Sequence, residues 1–227
     1  MGWIFKLFTG GKALRAAGLN LEDSFLRISV VERRFGVVRP MVSEELKLPS
    51  LPDERNSVIR ETLLRLREKH RVDRVVIGIG LNNFTNHSIE LPALSKKEMR
   101  DALFYELENH LPLPPEEYVF DFFTSKKIMK KAAATVLALR RERIDDILSV
   151  VKDTGLNLSA VRCSFIEGIN NFLSSVKPEN AVFIYSSGES YSVAAIKDGI
   201  PVSFAFIQKS AGRDIVAEIE KIRGPIK

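Results

Sequence analysis

The sequence predicts an α/β protein, and three observations carry that reading. Residues 75–79, Val-Val-Ile-Gly-Ile, form an almost wholly apolar run of strand length, as in a strand covered on both faces. Ser95 followed by Glu98 makes a capping box ahead of a helix whose apolar residues recur at helical spacing. The chain also runs twice through three short strands and then a helix, once before residue 72 and once after residue 180.

The 227 residues are 45% hydrophobic and 28% charged, enough for a sizeable core and unlike a disordered chain. The net charge of +5 is spread along the sequence. Basic clusters at Lys126, Lys127, Lys130 and Lys131, and at Arg140, Arg141 and Arg143, read as solvated turns around a strand, the alternative being contact with acidic headgroups or an acidic partner. No basic surface interleaved with aromatics argues for nucleic acid. The single cysteine, Cys163, excludes an intramolecular disulfide, fits a reducing compartment and reads as a small buried hydrophobe. No run approaches the ~18 apolar residues of a membrane span, and residues 1–8 are too short for a signal peptide.

In order, the first octet carries Trp3, Ile4, Phe5, Leu7 and Phe8, which either contact a membrane interface or a partner, or pack on their own domain. Residues 25–32 alternate as a strand, and 35–38 pair with them after an Arg33-Arg34 turn. A third strand covers 41–48. Asp53 caps a helix to residue 70, with Val58, Ile59, Leu63 and Leu66 buried and Arg55, Arg60, Glu61, Arg65 and Arg67 wet. After the 75–79 strand, Asn82-Asn83 turns into a strand over 85–91. The capped helix starts near Lys96, buries Met99, Ala102, Leu103 and Leu107, and stops at Leu-Pro-Leu-Pro-Pro, 111–115. Strands follow at 118–123 and 132–139. A helix over 141–153, stopped by Gly155, presents Ile144, Ile147, Leu148 and Val151. An extended piece at 159–162, a helix at 165–176, strands at 182–185, 191–196 and 201–207, and a helix at 213–222 complete the chain.

The run Glu-Leu-Pro-x-Leu-Ser-x-x-Glu-Met from Glu90, with Glu106 in the helix, Leu-Pro-Leu-Pro, Glu116-Glu117 and Asp121 in the next strand, resembles the inserted subdomain of the PilM/GspL family. Those are actin-like proteins of bacterial type IV pilus and type II secretion platforms. The resemblance implies an actin-like (ribonuclease H-like) α/β fold, two three-strand-plus-helix halves with a small inserted α+β subdomain and the second half incomplete. The expected division is an apolar N-terminal segment at 1–17, a first actin-like subdomain at 18–72, the inserted subdomain at 73–163, and a connecting helix with the start of the second actin-like subdomain at 164–227.

ATP-binding relatives read roughly Gly-x-Asp-x-Gly-x-x-x-Val-Lys at the end of the first strand. Here Gly18-Leu19-Asn20-Leu21-Glu22 begins the matching stretch, so Asn20 stands for the Asp and Glu22 for the glycine. A carboxylate in a phosphate turn repels the ligand, and a side chain blocks backbone approach. In the second turn, read in the family as Val-Asp-Ile-Gly, Tyr185 replaces the Asp and Ser187 the glycine, with Gly188 usable only through a one-residue slip. The resemblance therefore implies no cofactor, ATP included, and no enzyme activity.

Other chemistry is absent from the pattern. His70, His87 and His110 lack metal-ligand spacing, Ser164 and Ser190 lack a nucleophile elbow, and Glu106 and Glu108 face different ways on one helix. What the resemblance implies instead is a cytoplasmic scaffold, peripheral at the inner membrane. Its expected partners are the cytoplasmic tail of a bitopic platform protein and the secretion or extension ATPase, with a homodimer left as an option that the sequence does not decide. The alternative is a nucleotide-dependent switch like ATP-binding PilM or FtsA.

Overall fold

The computed structural model describes residues 14–124, 131–188, 190–209, 216–217 and 219–220. Its elements run β1 (Leu14–Leu21), β2 (Phe25–Arg34), β3 (Val37–Lys47), α1 (Pro52–His70), β4 (Arg74–Ile79), β5 (Phe84–Pro92), α2 (Lys96–Leu107) and β6 (Tyr118–Thr124). They continue with β7 (Lys131–Arg140), α3 (Arg141–Val151), β8 (Asn157–Cys163), α4 (Ser164–Val176), β9 (Asn180–Ser187), β10 (Ser190–Lys197) and β11 (Ile200–Gln208). The chain divides into two compact units, one from Met1–Gly80 and Ile144–Ser174, the other from Leu81–Arg143 and Ser175–Lys227.

The first unit is a five-stranded sheet in the order β3-β2-β1-β4-β8. β1, β2 and β3 form an antiparallel meander, whereas β1–β4 and β4–β8 are parallel, pairing Asn20 with Gly78 and Ile79 with Cys163. Parallel neighbours need a crossover, and α1 supplies the first one. Val75, Ile77 and Ile79 of β4 are buried, as are Leu19 and Leu21 of β1 and Ile59, Leu63 and Leu66 of α1.

Several expected boundaries move. β4 and β8 belong to this first sheet, so the insertion expected at 73–163 shrinks to the stretch between them that folds in the second unit, Leu81–Arg143. An apolar strand such as β4 needs cover on both edges, and β1 and β8 provide it. β1 begins at Leu14, taking residues 14–17 from the expected N-terminal segment. The β2–β3 turn is Phe35-Gly36, both at positive φ, rather than Arg33-Arg34; Gly36 makes this two-residue hairpin cheap, and β3 then starts at Val37, its register with β2 shifting at Met41. Pro52 occupies the first turn of α1, whose N-cap is Leu51, so Asp53 acts on the helix dipole and not as a cap. In α3, Val150 is buried and Leu148 is 47% exposed.

In the second unit β7 lies between β5 and β6, and α2 covers this sheet. Met99, Leu103 and Leu107 of α2 pack with Ile89, Tyr118 and Val136. The capping box forms as expected: Glu98 N donates to Ser95 Oγ at 3.3 Å and Ser95 N to Glu98 Oε2 at 2.9 Å. The Ser95 hydroxyl and then the Ser95 backbone N–H, both directed at the carboxylate, hold the Glu98 carboxyl below the usual carboxylate range. The second sheet, β11-β10-β9, sets β11 against the first through Thr135 Oγ1 donating to Val202 O at 3.3 Å and the Phe123–Phe204 ring contact. Most of the helix expected at 213–222 lies outside the described residues; Val216, Ala217, Ile219 and Glu220 within it are helical.

Leu103 is fully buried in this core, so Leu103→Ala is expected to lower stability by about 2–5 kcal/mol. Ser95→Ala, which removes one half of an exposed cap, is expected to cost about 1 kcal/mol. Urea denaturation followed by circular dichroism ranks the two, and an equal loss would contradict the packing described.

Candidate functional site

The two turns singled out by the sequence lie in different units, and each has its own geometry. In the first, β1 ends at Leu21 and β2 starts at Phe25. The Glu22 backbone N–H, which a glycine at this position could offer to a ligand, donates to Phe25 O at 2.9 Å. Ser24 O is also used, accepting from Leu48 N at 2.8 Å.

The Glu22 side chain is only 10% exposed, and its carboxylate is held inside the turn. Oε1 accepts from Asn20 Nδ2 at 3.0 Å and from the Arg27 guanidinium, which also pairs with Glu45 at 2.6 Å. Arg55 of α1 donates to the Glu22 carbonyl. Asn20 and Glu22 thus share a hydrogen bond within the turn. Arg27 and Arg55 were missed. Arg27 stands at the lysine of the family pattern, which was the one signal for it; Arg55, expected on a wet helix face, comes from 33 residues away.

Asn20 Oδ1 is buried without a hydrogen-bond partner. It lies against Gly78, where an added Cβ would sit 3.3 Å from that oxygen and 3.2 Å from the Ser164 side chain. Gly78 thus admits the close approach of β4 to Asn20 and Ser164. Ser164 Oγ donates to Ile79 O at 3.1 Å, which ties the start of α4 to β4. Burial pushes the neighbouring Cys163 thiol up to about 11, outweighing hydrogen bonds from Ile166 and Phe165, so it stays protonated and unreactive near neutral pH.

In the second turn Ser187 is the last residue of β9, paired with Ser190, and Gly188 follows it in the loop at φ +33. Ser187 and Ser190 share a hydroxyl contact of 3.1 Å. Lys209 donates to Ser186 Oγ at 3.0 Å and to Gly188 O at 2.8 Å, with its ammonium 4.6 Å from the Tyr191 ring centroid. The turn thus contains a glycine one position after Ser187. Tyr185 lies within β9, in register with Ser192. Trp3, Ile4, Phe5, Leu7 and Phe8 lie outside the described residues.

Among the described residues no group of three or more His, Cys, Asp or Glu could hold a metal ion. His87 and His110 do meet, with ring centroids 5.2 Å apart. Burial, and secondarily His110, lower the pKa of His87. An open cleft of about 610 Å³ lies elsewhere in the first unit, between Arg67, Leu148, Lys152 and Leu158.

No family model matches the sequence, and no curated protein matches it. Solved structures do. A chain of the PilM–PilN type IV pilus biogenesis complex matches at TM-score 0.71 and 19% identity, over 93% of this chain and 70% of that one. The cytoplasmic domain of EpsL, an inner membrane component of the type II secretion system of Vibrio cholerae, matches at 0.57 and 15%, over 86% and 71%. A Bacteroides thetaiotaomicron protein with an actin-like ATPase fold and unknown function matches at 0.58 and 13%, over 93% and 76%. The fold is therefore actin-like, of the PilM and GspL kind, as the sequence implied.

Because the folded state depresses the His87 pKa, the unfolded chain binds this proton more readily. Stability from neutral His87 is present above pH 6.5 and is lost as pH falls below it. Urea midpoints at pH 8 and pH 5.5 are expected to fall further apart in the parent than in His87→Gln. Equal pH dependence in the two proteins would contradict the assignment.

Proposed function

We propose that this chain is a non-enzymatic scaffold of a bacterial inner-membrane assembly platform, of the type II secretion or type IV pilus kind. It holds the cytoplasmic tail of a bitopic membrane protein and the motor ATPase, and works on the cytoplasmic side, peripheral to the membrane. The fold shared with PilM and with cytoplasmic EpsL supports this reading. Among the described residues no helix is long and apolar enough to cross a membrane.

The observation that carries the non-enzymatic part is the Glu22 carboxylate, seated in the first turn, ion-paired with Arg27 and hydrogen-bonded by Asn20. A phosphate entering there would meet a like charge, at a cost of about 4 kcal/mol per unit charge at 4 Å for an effective dielectric constant near 20. One charge-assisted hydrogen bond returns about 1.5–3 kcal/mol. Displacing Glu22 would in turn leave Arg27 to be re-paired. The turn's own side chain does the work of a bound anion, so nucleotide has no role.

Thermal unfolding and calorimetry with Mg²⁺-ATP test this. At about 1 mM nucleotide, a site with a Kd near 10 μM would add about 2.7 kcal/mol of stability. No shift is expected; stabilisation by several degrees would replace the scaffold reading with a nucleotide-dependent switch. The partner assignment has its own test, capture of the chain by the immobilised cytoplasmic tail of a bitopic platform protein from the same organism. Failure of capture at micromolar concentrations would count against the platform role.

A further inference from the structure

The tip of the β2–β3 hairpin carries side chains for which the fold has no evident use. Phe35 holds φ 51 in the first position of the two-residue turn and is 92% exposed. Positive φ suits Gly, Asn or Asp; a bulky aromatic there is an outlier. Backbone preference and solvation therefore both disfavour phenylalanine at this site. Its ring neighbour is Arg34, whose guanidinium lies 5.7 Å from the ring centroid.

Apolar surface continues along β3. Val37, paired across the hairpin with Arg34, is 54% exposed, and Met41 is also exposed. Arg34 and Arg39 are exposed beside them, and Arg33 pairs with Val38. Glu32, the one carboxylate between residues 31 and 43, sits opposite Arg39 but pairs with Arg15 at 3.0 Å. The tip is thus cationic around a projecting aromatic ring.

We propose that this hairpin tip docks on an anionic lipid bilayer, with Phe35 and Val37 entering the headgroup boundary and Arg34 and Arg39 meeting lipid phosphates. A specific protein interface covers roughly 800 Å² on each partner, far more than a turn of a few residues offers. A bilayer asks for less: an aromatic wedge, and cations that each gain from the negative surface. The inference stands on the hairpin alone and requires neither the scaffold role nor its partners.

Vesicle co-sedimentation of the full chain tests it, using phosphatidylcholine with about 30% phosphatidylglycerol, and phosphatidylcholine alone, in about 0.1 M salt. The parent is expected to bind the anionic vesicles and not the zwitterionic ones. Phe35→Asn keeps a residue that tolerates positive φ, and is expected to weaken binding about tenfold through loss of the buried ring. The pair Arg34→Gln and Arg39→Gln is expected to weaken it similarly and to flatten its salt dependence. Both variants retain residues 1–13, so the hairpin's share is read as their difference from the parent, with circular dichroism confirming that each is folded. Parent-like binding by both variants, equal binding to the two vesicle types, or retention on polyglutamate with none on vesicles would each overturn the proposal.

Discussion

The parallel pairing of β1 with β4 is the constraint on which the rest of the first unit depends. β2 leaves β1 on one side while β4 and β8 extend the sheet on the other, so the carboxyl ends of β1 and β4 meet where the strand order reverses. In open α/β sheets such a switch point is where ligands bind. Here it holds Asn20, Gly78 and Ser164, with Glu22 just beyond. Gly78 permits the close approach, and Arg27 and Arg55, from the next strand and from α1, close the turn over a carboxylate. The turn is filled by the protein's own anion.

This arrangement is half-buried and tied to three elements, so it serves the fold. Arg27 bridges Glu22 and Glu45, which binds the turn to β3, and Arg65 pairs with Glu44 one residue away, joining β3 to α1. Exposed ion pairs are individually weak. Their joint effect here is geometric: they fix the orientation of side chains around Glu22.

Local signals were the legible ones. The capping box at Ser95 and Glu98, the buried stripe Met99-Leu103-Leu107 and the apolar run of β4 each depend on residues within one turn or one strand. Asn20 and Glu22 were identifiable because a known pattern marked their positions. The Arg27 and Arg55 contacts, the placing of β8 beside β4 and the membership of β4 in the first sheet depend on pairings between distant residues, which periodicity does not encode. The Phe35-Gly36 turn was missed for another reason: phenylalanine at positive φ runs against turn propensity. Leu148 fits an amphipathic stripe wider than the core it covers.

Glu22 already occupies the turn, and its partner Arg27 reports on that occupancy. The Arg27 Nη1 resonance, whose proton is donated to Glu22 while Nε–H is donated to Glu45, can be followed by nitrogen-15 correlation spectroscopy during addition of Mg²⁺-ATP. An unmoved resonance, shifted only when Glu22 is replaced by Gln, is the predicted result. A saturable displacement of that resonance by nucleotide in the parent protein would mean that Arg27 had exchanged Glu22 for phosphate, and would contradict the account.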